Sequence, residues 1–258
     1  MTPTRTVLIT GAAGGIGRAV AARFVAEGCQ VVGVDLVDPA MTGVDFQEAD
    51  VTDRESVAAA VRHTVTRYGR LDVLVACAGV TAGRPLHLTT DEEWDQVLRA
   101  NLTSVFLCVR EVLPDMMRAG AGTVVVIGSV LHRTAAPGLP AYAAAKGAIA
   151  ALGRQLAVDY GQYGIAFITV SPGWIRTPAT ESRLDGMSDL DSLRDSNPLG
   201  LTGTPEQVAA TVAFAASSDA ILINGSELVL DAGASVVSPA SLLRDAHRER
   251  MGLSPLRP

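Results

Sequence analysis

Thr6-Val-Leu-Ile-Thr10, followed by Gly11-Ala-Ala-Gly-Gly-Ile-Gly17 and then Arg18 to Glu27 with Gly28 behind it, is the stretch that decides the fold. Its first five residues are apolar and largely β-branched, the composition of a buried strand. The Ala-rich run from Arg18 reads as a helix that ends at Gly28, a residue free to adopt the left-handed turn that stops helices. A glycine turn between strand and helix aims backbone N–H groups and the positive helix end at an anion, with no Cβ in its way. Gly11, Gly15, Ile16 and Gly17 are therefore the candidate contacts of a pyrophosphate. The spacing is G-x-x-x-G-x-G rather than G-x-G-x-x-G, although Gly14 also permits G-x-x-G-x-x-G.

Working outward, Gln30 to Val34 is a second strand closed by Asp35, eighteen residues beyond Gly17. An acidic side chain at about that distance accepts hydrogen bonds from an adenosine ribose and repels a 2′-phosphate. Neither Ala12, Ala13 nor Leu36 to Asp38 supplies a cation for such a phosphate, so the pattern predicts NAD(H) over NADP(H). Further strands are expected at Phe46–Val51, Leu71–Ala76, Thr123–Ile127, Ile165–Val170 and Glu227–Leu230. Between them, helices are expected from a Thr52 or Asp53 cap to Tyr68, from Asp91 to Ala119 with a kink at Pro114, from Tyr142 to Asp159, and from Pro205 to Ser217. Strands that alternate with helices throughout call for an α/β fold, one doubly wound parallel sheet in three layers. No linker or repeat divides residues 1–237, which read as a single domain. Within it, the polar segment 179–204 lacks a sustained period and reads as a mobile cover. The tail 238–258 offers either a loosely ordered terminus or a helix capped by Ser238 with Pro239 at its first position, reaching a neighbouring subunit or a pocket.

Composition narrows the classes. The chain has 258 residues, 48% of them apolar, enough for a large core. A formal net charge of −6 argues against nonspecific nucleic-acid binding. The three cysteines, Cys29, Cys77 and Cys108, are odd in number and widely spaced, which suits a reducing compartment and supports neither a disulfide framework nor a metal site. His63 and His87 read as surface residues, and no metal ligand set forms. No window approaches the apolar length of a membrane span, and no signal-like N-terminus is present, so a cytoplasmic protein is expected.

The chemistry concentrates between Ser129 and Lys146. Tyr142 and Lys146 stand four apart in an Ala-rich segment, so a helix presents both on one face. An ammonium held beside a phenol favours the phenolate and turns a poor proton carrier into a usable general acid or base. Ser129 follows an apolar run, Val124 to Ile127 and then Gly128, that delivers its hydroxyl to the C-terminal edge of a buried strand. Tyr-x-x-x-Lys alone is common. Joined to the serine upstream and the N-terminal glycine turn, it is not.

Taken in order, Thr10-Gly-Ala-Ala-Gly-Gly-Ile-Gly17, Asp50-Val51, Ala78-Gly79, Asn101, Ser129, Tyr142-Ala-Ala-Ala-Lys146, Pro172-Gly173 with Thr177, and Asp231-Ala-Gly233 resemble the short-chain dehydrogenase/reductase family, in its single-domain branch. The larger nucleotide-sugar branch shares the Tyr/Lys pair, but its chains are longer and carry a separate substrate domain. The resemblance implies a Rossmann-like fold and an NAD-dependent oxidoreductase. It implies that Tyr142 exchanges a proton with the substrate oxygen, that Lys146 tunes Tyr142 and holds the nicotinamide ribose, that Ser129 binds the substrate oxygen, and that Asn101 supports a water chain. It places Asp50 and Val51 at the adenine, Ala78 and Gly79 along the cofactor, and Pro172, Gly173, Ile175 and Thr177 around the nicotinamide amide. It also implies a homotetramer that pairs the helices bearing Asn101 and Tyr142. Two departures stand out: Ala76 and Cys77 occupy positions where relatives carry two asparagines, and Leu201 lies where a basic residue is common.

For the substrate, Leu131, Leu139 and Trp174 suggest an apolar or ring-bearing secondary alcohol or ketone, with Trp174 equally able to be core packing. His132 and Arg133 invite a carboxylate or phosphate, against simple solvation on an exposed loop. A 3-oxoacyl-thioester reductase is the nearest variant, although such enzymes usually prefer the phosphorylated cofactor that Asp35 opposes. A non-catalytic dinucleotide sensor is the alternative of a different class.

Overall fold

The computed structural model describes residues 4–184, 197–237 and 245–254. Seven strands form one sheet: β1 (Thr6–Thr10), β2 (Gln30–Asp35), β3 (Val44–Glu48), β4 (Val73–Ala76), β5 (Gly122–Ile127), β6 (Ile165–Pro172) and β7 (Glu227–Leu230). Their order across the sheet is β3-β2-β1-β4-β5-β6-β7, and every pair is parallel. The helices are α1 (Gly15–Ala26), α2 (Arg54–Tyr68), α3 (Asp91–Leu98), α4 (Ser104–Ala119), α5 (Pro140–Tyr160), α6 (Pro178–Leu184), α7 (Pro205–Ala215) and α8 (Asp245–Arg250).

The pleat sorts each strand's side chains between two cores. Leu8, Val32, Leu74, Val124 and Phe167 face Val57 and Val61 of α2, Val112 and Met116 of α4, and Ile149 of α5. The alternate residues Val7, Ile9, Val31, Val75 and Ile168 face Val20 and Phe24 of α1 and Val208 and Val212 of α7. Both faces of the sheet are covered, which is why its strands read as continuous apolar runs. The chain turns in opposite directions from β1, to β2 on one side and β4 on the other, and a crevice opens above their C-terminal ends.

Several boundaries differ from the sequence reading. Helix α1 begins at Gly15, inside the glycine run, so Gly15 and Gly17 sit in its first turn and bring its free N–H groups to the crevice. Strand β3 ends at Glu48, leaving Asp50 and Val51 in the loop that Asp53 then terminates by capping α2 through Ser56 N. The helix expected from Asp91 to Ala119 is divided by a π-helical turn at Arg99–Thr103, while Pro114 lies within α4. Of the cover expected at 179–204, residues 185–196 lie outside the described residues, and the near end is helix α6. The expected cap at Ser238 and Pro239 also lies outside them, while Asp245–Arg250 of the tail is helical.

Candidate active site

The crevice encloses a cavity of about 590 Å³ whose wall contains every residue singled out above as catalytic or cofactor-binding, together with Leu131, Leu139 and Trp174. One side is almost entirely backbone. Gly11 has φ +69°, and a Cβ there would lie 2.8 Å from the backbone of Ala78; one on Gly17 would lie 2.0 Å from the Gly11 carbonyl oxygen. Side chains at these positions would fill the cradle that the turn leaves open. Thr10 closes the turn from below, its hydroxyl accepting from the N–H groups of Cys77 and Ala78 at 3.1 and 3.2 Å. That contact ties the loops together where the asparagine pair of relatives is missing.

Asp35 stands at the end of β2 in the cavity wall. One carboxylate oxygen accepts from Ala13 N at 2.9 Å and the other from Leu36 N at 2.7 Å. A carboxylate has about four lone-pair positions, so it retains acceptor capacity towards the cavity. Cys77 also lines the wall. Burial pushes its thiol up to about 12 despite the neighbouring Lys146 ammonium, so it stays protonated and is not a nucleophile at neutral pH.

The other side is made of side chains from separate elements. Helix α5 supplies Tyr142 and Lys146, with the Lys146 ammonium 5.5 Å from the Tyr142 ring centroid. Lys146 is only 6% exposed, and its ammonium donates to the carbonyl of Ile127, at the end of β5, at 2.8 Å. Ser129 follows that strand end with extended backbone, and its Oγ accepts from Leu131 N at 3.2 Å, leaving its own proton free for another acceptor. Asn101 sits in the π-helical turn, where its amide donates to the carbonyls of Val80 and Val97, both at 2.9 Å. Its Oδ1 is buried with no hydrogen-bond partner among the described residues, and a Cβ on Gly79 would come within 2.6 Å of that atom. An orphaned buried acceptor at a cavity wall is a natural seat for a water.

Leu131, Leu139 and Trp174 join this side of the wall. Trp174 is thus a pocket residue, its indole Nε1 buried and without a hydrogen-bond partner among the described residues. His132 and Arg133 neither line the cavity nor stand free in solvent. Arg133 Nη2 donates to Glu227 Oε2 at 2.6 Å, and the His132 ring lies beside the same carboxylate, its Nε2 3.1 Å from Oε1. His63, expected at the surface, is partly buried and bonds Asp45 at 2.8 Å. Thr180 was not singled out. Its hydroxyl donates to the Ile175 carbonyl at 2.6 Å and accepts from Thr177 N at 2.8 Å, fixing the Ile175–Thr177 corner. The Thr-x-x-Thr spacing was the available signal.

Comparison with known proteins agrees with this geometry. A family model described as enoyl-(acyl carrier protein) reductase matches residues 11–235. The chain is 40% identical to 2-(R)-hydroxypropyl-CoM dehydrogenase of Xanthobacter autotrophicus over 88% of its length and 97% of that protein. It is 34% identical to cyclopentanol dehydrogenase of Comamonas sp., covering 89% and 96% of the two chains. Among solved structures, ligand-free aldohexose dehydrogenase of Thermoplasma acidophilum superposes with a TM-score of 0.88 at 32% identity, covering 93% and 97%. The chain belongs to the short-chain dehydrogenase/reductase family, and its relatives of known activity make it an oxidoreductase. Among the described residues no His, Cys, Asp or Glu group could hold a metal ion, and no helix is long and apolar enough to cross a membrane.

Proposed function

We propose that the protein is an NAD-dependent secondary-alcohol dehydrogenase or ketone reductase in which Tyr142 is the general acid/base. The observation that carries this reading is the convergence of Ser129, Tyr142, Lys146 and Asn101 on the same cavity that the glycine cradle lines. The residues fit a nicotinamide dinucleotide: the cradle and the N-terminus of α1 suit the pyrophosphate, Asp35 the adenosine ribose, and Asp50 and Val51 the adenine. Gly173, Ile175 and Thr177 line the same cavity and would hold the nicotinamide amide.

When bound, NAD⁺ would supply the hydride acceptor for the carbinol carbon. The chain's own residues do the rest. Ser129 Oγ holds the substrate oxygen, and Tyr142 takes the hydroxyl proton from it. Lys146, anchored on the Ile127 carbonyl with its ammonium 5.5 Å from the Tyr142 ring centroid, holds the nicotinamide ribose. Asn101 Oδ1 holds the water through which the proton leaves. Leu131, Leu139 and Trp174 fit an uncharged, apolar or ring-bearing substrate, and the relative that acts on cyclopentanol supports that choice. We further propose that residues 1–237 form the catalytic domain, and that the protein works in the cytoplasm as a homotetramer.

The test is a scan of secondary alcohols, cyclopentanol included, with NAD⁺ or NADP⁺ and followed by nicotinamide absorbance. Turnover with NAD⁺ in wild type but not in Tyr142→Phe is the expected result. Equal rates in the two proteins would remove Tyr142 from the reaction, and preference for NADP⁺ would remove the Asp35 contact.

A further inference from the structure

We infer that His132 and Glu227 are positioning residues for Ser129, linked through Arg133 in a chain of contacts from the edge strand to the reaction site. This role rests on the proposed dehydrogenase reading. The Ser129 carbonyl accepts from His132 twice, from the ring Nδ1 at 2.5 Å and from the peptide N–H at 3.3 Å. The far side of the ring is held as firmly. Its Nε2 lies 2.9 Å from Arg133 Nε and 3.1 Å from Glu227 Oε1, and Arg133 Nη2 lies 2.6 Å from Glu227 Oε2. With its proton on Nδ1 towards Ser129, the imidazole accepts from Arg133, and Arg133 donates onward to Glu227.

Glu227 opens β7 and pairs with Thr169 of β6, so its place is set by the sheet and not by the loop it holds. The side chains of His132 and Glu227 are each 10% exposed, whereas Arg133 is 57% exposed. A carboxylate this dry demands a partner, and the hydrogen bond it accepts, from Arg133 Nη2, comes from the turn that follows Ser129. That turn is closed on two sides: Ser129 Oγ accepts from Leu131 N, and the Ser129 carbonyl accepts from His132. Because the 129–130 peptide is planar, fixing its carbonyl also fixes the direction in which the chain leaves Ser129 towards Val130. Losing the shorter of the carbonyl's two bonds loosens rotation about Ser129 and moves its Oγ relative to Tyr142. Displacements of about 1 Å at a reacting group cost rate on the order of a hundredfold.

The experiment uses the full chain and the fastest secondary alcohol from a scan that includes cyclopentanol, with NADH binding by fluorescence and thermal melting as parallel readouts. His132→Phe is expected to lower kcat about tenfold or more, with NADH affinity within about twofold and the melting temperature within about 2 °C of wild type. His132→Asn, whose side-chain amide can donate to the same carbonyl, is expected to recover most of that loss. Glu227→Gln, which keeps the shape and loses the charge, is expected to fall between. Wild-type kcat in His132→Phe overturns the role, as does an equal loss in the Asn variant or a loss matched by lower melting temperature and weaker NADH binding. Tyr142→Phe run alongside separates the two levels. An active wild type, an inert Tyr142→Phe and an unaffected His132→Phe defeat only the positioning role; a wild type inert across the scan defeats both readings.

Discussion

The two walls of the cavity are built from different materials. On the cofactor side, the surface is a glycine turn, strand ends and the first turn of α1, and Gly17 has its ideal Cβ position 2.0 Å from a backbone carbonyl. On the reaction side, the surface is Ser129, Tyr142, Lys146 and Asn101, carried by β5, α5 and the π-helical turn after α3. The first wall works by what is missing, because a bare backbone lets N–H groups approach an anion. The second works by what is present and by how rigidly it is held. One wall should therefore fail when atoms are added and the other when atoms are removed.

The largest expected effect is on the reaction side. Tyr142→Phe removes one oxygen and keeps the ring beside Lys146, so kcat should fall by about 10²–10⁴ while NADH fluorescence titrations stay unchanged. Addition on the opposite wall comes next. Gly17→Ala places a methyl against the Gly11 carbonyl and should cost about 1–3 kcal/mol of stability in urea unfolding, with NADH affinity reduced as well. An unchanged unfolding midpoint and unchanged affinity would break the contrast. Asp35 is the exception that sharpens it, a side-chain determinant on the backbone wall. Removing its charge in Asp35→Ala should raise the ratio of kcat/KM for NADP⁺ over NAD⁺ by about tenfold, equivalent to about 1.4 kcal/mol.

The smallest effect belongs to neither wall and serves as a control. Asp45 on β3 accepts from His63 Nε2 at 2.8 Å and from Tyr68 OH at 3.1 Å, with Arg67 at 3.1 Å. Burial works against its ionised form, but the His63 and Tyr68 hydrogen bonds outweigh it and hold the carboxyl below its ordinary value. A lowered folded value means that the contribution is complete above about pH 4, where the unfolded carboxyl is ionised, and is lost as pH falls through the folded value. Melting curves of Asp45→Asn should therefore lie below wild type at neutral pH and converge with it in acid, with alcohol turnover at neutral pH unaffected. Parallel curves at every pH would show that the cluster does not act through charge.

The asparagine of the reaction wall entered only through the family resemblance; sequence alone determined the order of strands and helices, the glycine turn, the serine and the tyrosine–lysine pair. These are local matters: apolar runs, turn chemistry and i, i+4 spacing act over a few residues, and the residues that carry them are neighbours in the chain. Tertiary structure decided how the long helix is broken at Asn101, because that turn aims the amide at the Val80 carbonyl across the crevice. It also decided that His132 and Arg133 face Glu227 rather than a ligand, through a contact spanning 94 residues that only the register of β6 with β7 could arrange. No periodicity encodes such a meeting. Strand pairing sets where each side chain lands, and pairing partners are chosen by the packing of the whole sheet.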